Sequence, residues 1–387
     1  MKKLILVLGA VGLLYFTATL TVPSIIESQR NPVKSPPPYT VSSEAKVIYD
    51  RLDFIAELHC DALLWGRDLT KKGSQGQVDF PRMREANVGL EMFTIVSKSP
   101  AGQNMKSNTA DAFDNITPLT IVKGESPANW FSLINRTLSQ SEDLKDFIDK
   151  ENGKAIFIKS KGDLTKLIEA RKNDKSIIGA MLGVEGAHSL EGEIENLDRV
   201  YDAGVRMIGL THFFDNELGG SAHGESQAGL TNFGKEVVRK MNELGIFVDL
   251  AHCSPAIVDD VLNMTSRPVM VSHTGVRAVL DSQRNLSDSQ IQKIAENGGI
   301  IGIAFFDEAV GVPELPNIIA SIKHVRDLVG IEYVALGSDY DGAVTVPFDI
   351  TGFPLLVEGM MAAGFNENEI KAVMGENIKN FMLKNLN

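Results

Sequence analysis

Four histidines and three carboxylates recur at one kind of place in this sequence. Each closes a short apolar run: Leu58-His59-Cys60-Asp61, Gly183-Val184-Glu185, Leu210-Thr211-His212, Leu250-Ala251-His252, Val271-Ser272-His273 and Gly337-Ser338-Asp339. Side chains two apart in a strand share a face, so His59 and Asp61 can reach one metal ion while Cys60 turns away. Imidazole and carboxylate together suit zinc. A glutamate such as Glu185 can bridge two ions, and a paired site clamps a water between them. One strand-end histidine alone is more often a hydrogen-bonded structural residue than a ligand. Four at the same relative position point to a metal centre.

Something must hold these run ends together. Strand-like runs fall at 56–61, 89–96, 177–184, 205–211, 247–251, 268–272, 300–305 and 333–338. Helical patterns follow most of them, at 194–203, 232–244, 255–263, 288–297 and 315–329. Alternating βα order with nearly continuous apolar strands predicts an α/β fold with a parallel sheet, and eight such strands predict a (β/α)8 TIM barrel. Sites in such barrels stand at the C-terminal ends of the strands, where these residues lie. A ninth run, 155–158, falls in an insertion after the second strand. The segment 98–130 reads as polar and irregular, a lid or substrate loop. Helices at 355–363 and 367–383 close the chain.

The chain has 387 residues, 43% hydrophobic and 23% charged, an ordinary globular composition that argues against long disorder. Its two cysteines supply no disulfide framework. The formal charge is −12, with no basic stripe, which argues against nucleic acid as a partner. The start differs from the rest. Met1-Lys2-Lys3 precedes an uncharged run, 4–22, long enough to span a bilayer at the short end of the range. Residues 1–23 therefore read as an uncleaved signal anchor or a cleaved signal peptide, either of which exports the body to the periplasmic or extracellular face. Asn31-Pro32 and Ser35-Pro36-Pro37-Pro38 make 24–42 an extended, Pro-rich linker, and 43–387 the barrel.

The motifs resemble the membrane dipeptidases (renal dipeptidase-like, peptidase family M19) of the amidohydrolase superfamily. The resemblance runs from about Asp53 to the C-terminus. It rests on Val184-Glu185-Gly186-Ala187-His188-Ser189-Leu190, Leu210-Thr211-His212, Val248-Asp249-Leu250-Ala251-His252-Cys253-Ser254, Val271-Ser272-His273-Thr274, Gln283-Arg284-Asn285 and Gly337-Ser338-Asp339-Tyr340-Asp341-Gly342. It implies a binuclear centre of two zinc ions, with manganese or cobalt left open. His59 and Asp61 match the ligands of the first ion, Glu185 the bridging glutamate, and His252 and His273 the ligands of the second. His212 matches a histidine that binds substrate and polarises the scissile carbonyl. Arg284 matches the arginine for the substrate's C-terminal carboxylate, and Asp339 the acid/base aspartate. The implied activity is zinc-dependent hydrolysis of free dipeptides, including those with a C-terminal D-residue, in a chain that often forms homodimers. Hydrolysis of another amide or a lactone carrying a free carboxylate is the alternative.

Two departures stand out. Ala187 replaces the family's second glycine, which matters only if that backbone needs positive φ. Cys60 stands where asparagine is frequent. Among the other polar residues, His188 is expected to support Glu185 and His223 to be an exposed loop residue. His324 has no assigned function, Asp341 belongs to the turn after Asp339, and both cysteines are expected to be small buried residues.

Overall fold

Runs rich in Val, Ile and Leu that must bury both faces pair as parallel strands under a helical coat. In the computed structural model they do so over residues 2–387, with the side chains of 2–9, 11, 14 and 20 outside the described set. The strands are β1 (Ile55–Cys60), β2 (Val88–Val96), β3 (Ala155–Phe157), β4 (Ile178–Glu185), β5 (Val205–Gly209), β6 (Phe247–Asp249), β7 (Met270–Thr274), β8 (Ile300–Ile303) and β9 (Val334–Leu336). Their order is β1-β2-β4-β5-β6-β7-β8-β9, each pair parallel. A Cys60–Tyr340 bridge and an Asp61 N–H bond to the Tyr340 carbonyl (2.8 Å) bring β9 back to β1. The eight-stranded barrel predicted from the sequence is therefore present and nearly closed. The ninth run is β3, which lines the first residues of β4.

Two apolar layers hold it. One packs the outer strand faces against the helices. The other gathers alternate strand residues, Leu58, Leu90, Met92, Met181, Met207 and Met270 among them, and fills the barrel. Two strands are shorter than their apolar runs suggest. The chain leaves β6 after Asp249 and β9 after Leu336. Beyond those ends His252 (φ +60°) and Asp339 (φ +66°) take left-handed backbone. Such conformations cost a non-glycine residue about 1–3 kcal/mol and gather at functional sites.

The segment 98–130 is more ordered than its polarity implied. It contains the helix Ile116–Val122 and the 3₁₀ turn Pro127–Asn129. Buried Arg136 pins it, donating to the Ser97 carbonyl (2.8 Å), Asp114 (2.7 Å) and Thr117 (2.6 Å).

The N-terminal stretch also differs from the expected linker. One helix runs Lys2–Arg30 through Pro23, so 24–30 is helical rather than extended. The following residues lie on the barrel: Lys34 N–H donates to the Val346 carbonyl (2.9 Å) and Val346 N–H to the Pro32 carbonyl (3.1 Å). Much of the 1–23 anchor or signal segment falls outside the described side chains. Among the described residues, no helix is long and apolar enough to cross a membrane.

Glu27 anchors this helix by a buried pair with Arg67, which in turn pairs with Asp341. Burial pushes the Glu27 carboxyl up to about 7, against the pull of Arg67. Between the ordinary value of 4.5 and that point, the folded chain binds more proton than the unfolded chain. This group's contribution to stability is therefore lost as pH rises through the window. Glu27→Gln removes that dependence. Relative to the parent, its melting temperature is expected to climb as pH rises from about 5 to 7. A difference that stays constant across that range would contradict the assignment.

Candidate active site

The strand ends converge on one buried cluster at the C-terminal face of the barrel. His59 comes from β1 and Asp61 from the residue just past it. Glu185 ends β4, His273 lies in β7, and His212, His252 and Asp339 stand in the turns after β5, β6 and β9. His59 Nε2 lies 3.5 Å from Asp61 Oδ1, 3.5 Å from Glu185 Oε1 and 3.8 Å from Asp339 Oδ1. The same Glu185 Oε1 lies 3.1 Å from His252 Nε2 and 3.4 Å from His273 Nε2, which are 2.9 Å apart. His212 Nε2 is 3.2 Å from Glu185 Oε2. Glu185 is thus shared by two groups of donors.

The donor set fits divalent metal. Buried His59 Nε2 has no hydrogen-bond partner. Burial works against charge on His59, yet Asp61 and Glu185 outweigh it and hold the imidazolium up to about 10, so the carboxylates favour a cation there. Burial lowers His252 and His273 well below the ordinary range and His212 to about 4. These three rings stay neutral, as metal ligation requires. Burial, then the charge of Asp61, pushes Glu185 well up. Groups of His59, Asp61 and Glu185, of His59, His273 and Asp339, and of Glu185, His212 and His252 each bring their ligand atoms within reach of one ion.

The profile of the membrane dipeptidase family, peptidase family M19, matches residues 40–384. The chain belongs to that family.

Its class is that of the metallo-dipeptidases. Dipeptidase aclJ of Aspergillus oryzae is 28% identical over 313 residues, covering 78% of this chain and 68% of that protein. Dipeptidase 3 of Mus musculus is 31% identical over 221 residues, covering 53% of this chain and 44% of the mouse protein. A metallopeptidase from Rhodobacter sphaeroides, solved with a phosphinate mimic of the dipeptide L-Ala-D-Ala, shares the fold with a TM-score of 0.66 at 22% identity. That match covers 86% of this chain and 99% of the solved one.

In this M19 chain the cluster floors a cavity of about 940 Å³ to which Asp61, Glu185, His212, His252 and Asp339 contribute. Arg284 is buried beside the cluster, though it does not line the cavity. Its Nη2 donates to the His273 carbonyl (2.8 Å), and its buried Nε has no partner. Asp341 points elsewhere, accepting from Gln77 N–H (2.7 Å) and Val78 N–H (3.2 Å). Ala187 opens a 3₁₀ turn and is not left-handed, whereas Gly186 has φ +83°. The added methyl at 187 therefore costs no backbone strain. Cys60 and Cys253 are free and buried. His324 pairs with Asp288 on a helix surface (2.7 Å).

Two expectations need correction. His223 is buried rather than exposed, because its loop folds beneath the 98–130 segment. Its Nδ1 donates to the Met105 carbonyl (3.0 Å), and its ring stacks on Phe213 at 4.7 Å. Asn108 fastens the same contact, donating to the Phe213 carbonyl (2.9 Å) and the His223 carbonyl (3.1 Å). His188 makes no hydrogen bond to Glu185. Neither ring nitrogen has a partner, and the ring packs edge-on against Phe214 at 4.7 Å.

Sequence reasoning also passed over the residues that hold the cluster's side chains in place. Thr94 donates to Asp61 Oδ1, and the Lys98 carbonyl accepts from His212 Nδ1 (3.2 Å). Ser272 lies against the Nδ1 atoms of both His59 and His273. Val22, Ile26, Gln29 and Arg30 of the N-terminal helix line the cavity, a role that the run's composition does not encode.

Proposed function

We propose that this chain is a zinc-dependent dipeptidase of the membrane dipeptidase type, hydrolysing free dipeptides and accepting a D-residue at the C-terminal position. The observation that supports the reading is the convergence of His59, His252 and His273 Nε2 on Glu185 Oε1, at 3.5, 3.1 and 3.4 Å, with Asp61 beside His59. The D-residue preference is supported by the L-Ala-D-Ala mimic bound to the Rhodobacter relative. Two divalent ions held by those five residues would supply Lewis acidity and a bound water of lowered pKa.

The remaining residues handle substrate and protons. Against a carbonyl acceptor, His212 Nδ1 must carry hydrogen, so Nε2 is the atom turned to the cavity. The ring is neutral at rest, and Nε2 carries a proton only as negative charge develops on the scissile carbonyl oxygen, to which it then donates. Asp339, whose Oδ1 is 3.8 Å from His59 Nε2, takes a proton from the attacking water and passes it to the leaving amine. Arg284 receives the free carboxylate, which suits its planar fork.

Arg284→Ala is therefore expected to raise KM for free dipeptides by about 10- to 100-fold, the value of a charged hydrogen bond, while leaving KM for C-amidated dipeptides nearly unchanged. Steady-state kinetics on the paired substrates measure this, and equal effects on both contradict the role. The same assay should carry L,L and L,D dipeptides beside carboxylated lactones. Preferred turnover of the lactones would favour the alternative chemistry. An exported location rests on the basic start and the uncharged run 4–22, and a homodimer on the family resemblance.

A further inference from the structure

Ser272 sits where the two halves of the centre meet. Its hydroxyl oxygen lies 3.0 Å from His59 Nδ1, 3.0 Å from His273 Nδ1 and 2.7 Å from Asp249 Oδ2. Asp249 Oδ1 accepts the Ser272 N–H (2.8 Å) and the Ala251 N–H (3.1 Å). A hydroxyl has one hydrogen to give and two lone pairs to receive with. The carboxylate can only accept, so the Ser272 hydrogen goes to Asp249. Both lone pairs then receive hydrogen from the imidazoles. With an ion in place of the Nε2 proton, His59 and His273 would each keep Nδ1–H and turn an Nε2 lone pair into the cluster.

The backbone makes this point rigid. Gly302, in β8, and Gly337, just past β9, close in on the Ser272 carbonyl, and a Cβ at either would come within 2.1 or 1.9 Å of it. Ser272, His59 and His273 are fully buried and Asp249 nearly so. No water is needed to complete the hydroxyl's bonds.

We propose that Asp249 and Ser272 act as a single tautomer clamp, positioning residues that prepare one ligand of each ion through one hydroxyl. Outer partners of ligating histidines commonly serve one ion. Here one serine serves both, so the two sites gain or lose affinity together. The inference rests on the metal-centre reading of the cluster.

The test compares purified, zinc-loaded parent with Ser272→Ala, Ser272→Thr and Thr94→Val, titrated against a chromophoric chelator. Ser272→Ala is expected to weaken both ions by about 10- to 100-fold each. Ser272→Thr, which keeps the hydroxyl, restores both. Thr94→Val, which touches Asp61 alone, weakens one. Loss of a single ion, or of none, in Ser272→Ala overturns the clamp. Parent protein that binds no ion overturns the metal-centre reading instead. Because Ser272→Ala could fail to fold, the tautomers are also read directly. Nitrogen-15 spectra of histidine-labelled, zinc-loaded parent are expected to show hydrogen on Nδ1 of both His59 and His273. Hydrogen on Nε2 of either ring overturns the proposal.

Discussion

Glu185→Gln is expected to lower kcat/KM for dipeptides by at least about 10³-fold, the scale on which charge stabilisation and proton transfer each act, and to lose bound metal on dialysis. The reason is position. Glu185 Oε1 is within 3.5 Å of His59, His252 and His273, so its carboxylate touches all three rings. Glutamine keeps the shape but offers no charge to balance two cations. A second readout guards against trivial unfolding. Without metal, burial and the neighbouring charge of Asp61 make the Glu185 carboxylate a liability, as its raised pKa records. The metal-free variant should then melt no lower than the metal-free parent, since burial already disfavours the charge that glutamine lacks. Parent-like metal content and activity in Glu185→Gln would contradict the bridging role.

Asp339→Asn should act differently. It is expected to lower kcat by about 10²- to 10⁴-fold, the range for general acid–base groups, with KM and metal content nearly unchanged. Its backbone is left-handed, φ +66°, and asparagine occupies that region as readily as aspartate. The substitution therefore removes a proton carrier without adding strain. Metal analysis beside kinetics decides the role. Asp339 Oδ1 is 3.8 Å from His59 Nε2, close enough that loss of an ion in Asp339→Asn would reassign it as a ligand.

What the sequence made legible follows from periodicity and chemistry at one place. Apolar runs of strand length, six of the eight closed by His, Asp or Glu, announced both the barrel and the face that carries the cluster. Seven residues spread from His59 to Asp339 meet there. Contacts between distant strands were not legible. The His59–Ser272 bond joins residues 213 apart, and a serine beside a histidine looks the same whether or not it clamps a ring. His223 misled because loop burial depends on what folds over it, here Met105 and Asn108. The Pro-rich stretch after Arg30 carries composition typical of free linkers. Its main-chain bonds to Val346 and Pro347 depend on no side chain, so composition could not reveal them. Helix through Pro23 runs against the usual penalty for an interior proline and is held instead by docking of the segment beyond it, Glu27 on Arg67 above all.

The measurement closest to the central claim is metal content and dipeptide turnover on one preparation of the full chain, dialysed against buffered zinc. The account predicts two ions per chain and cleavage of free dipeptides that stops on chelation and returns with zinc. A zinc-saturated chain that cleaves no L,L or L,D dipeptide, or a chain that cleaves them with no metal bound, would contradict it.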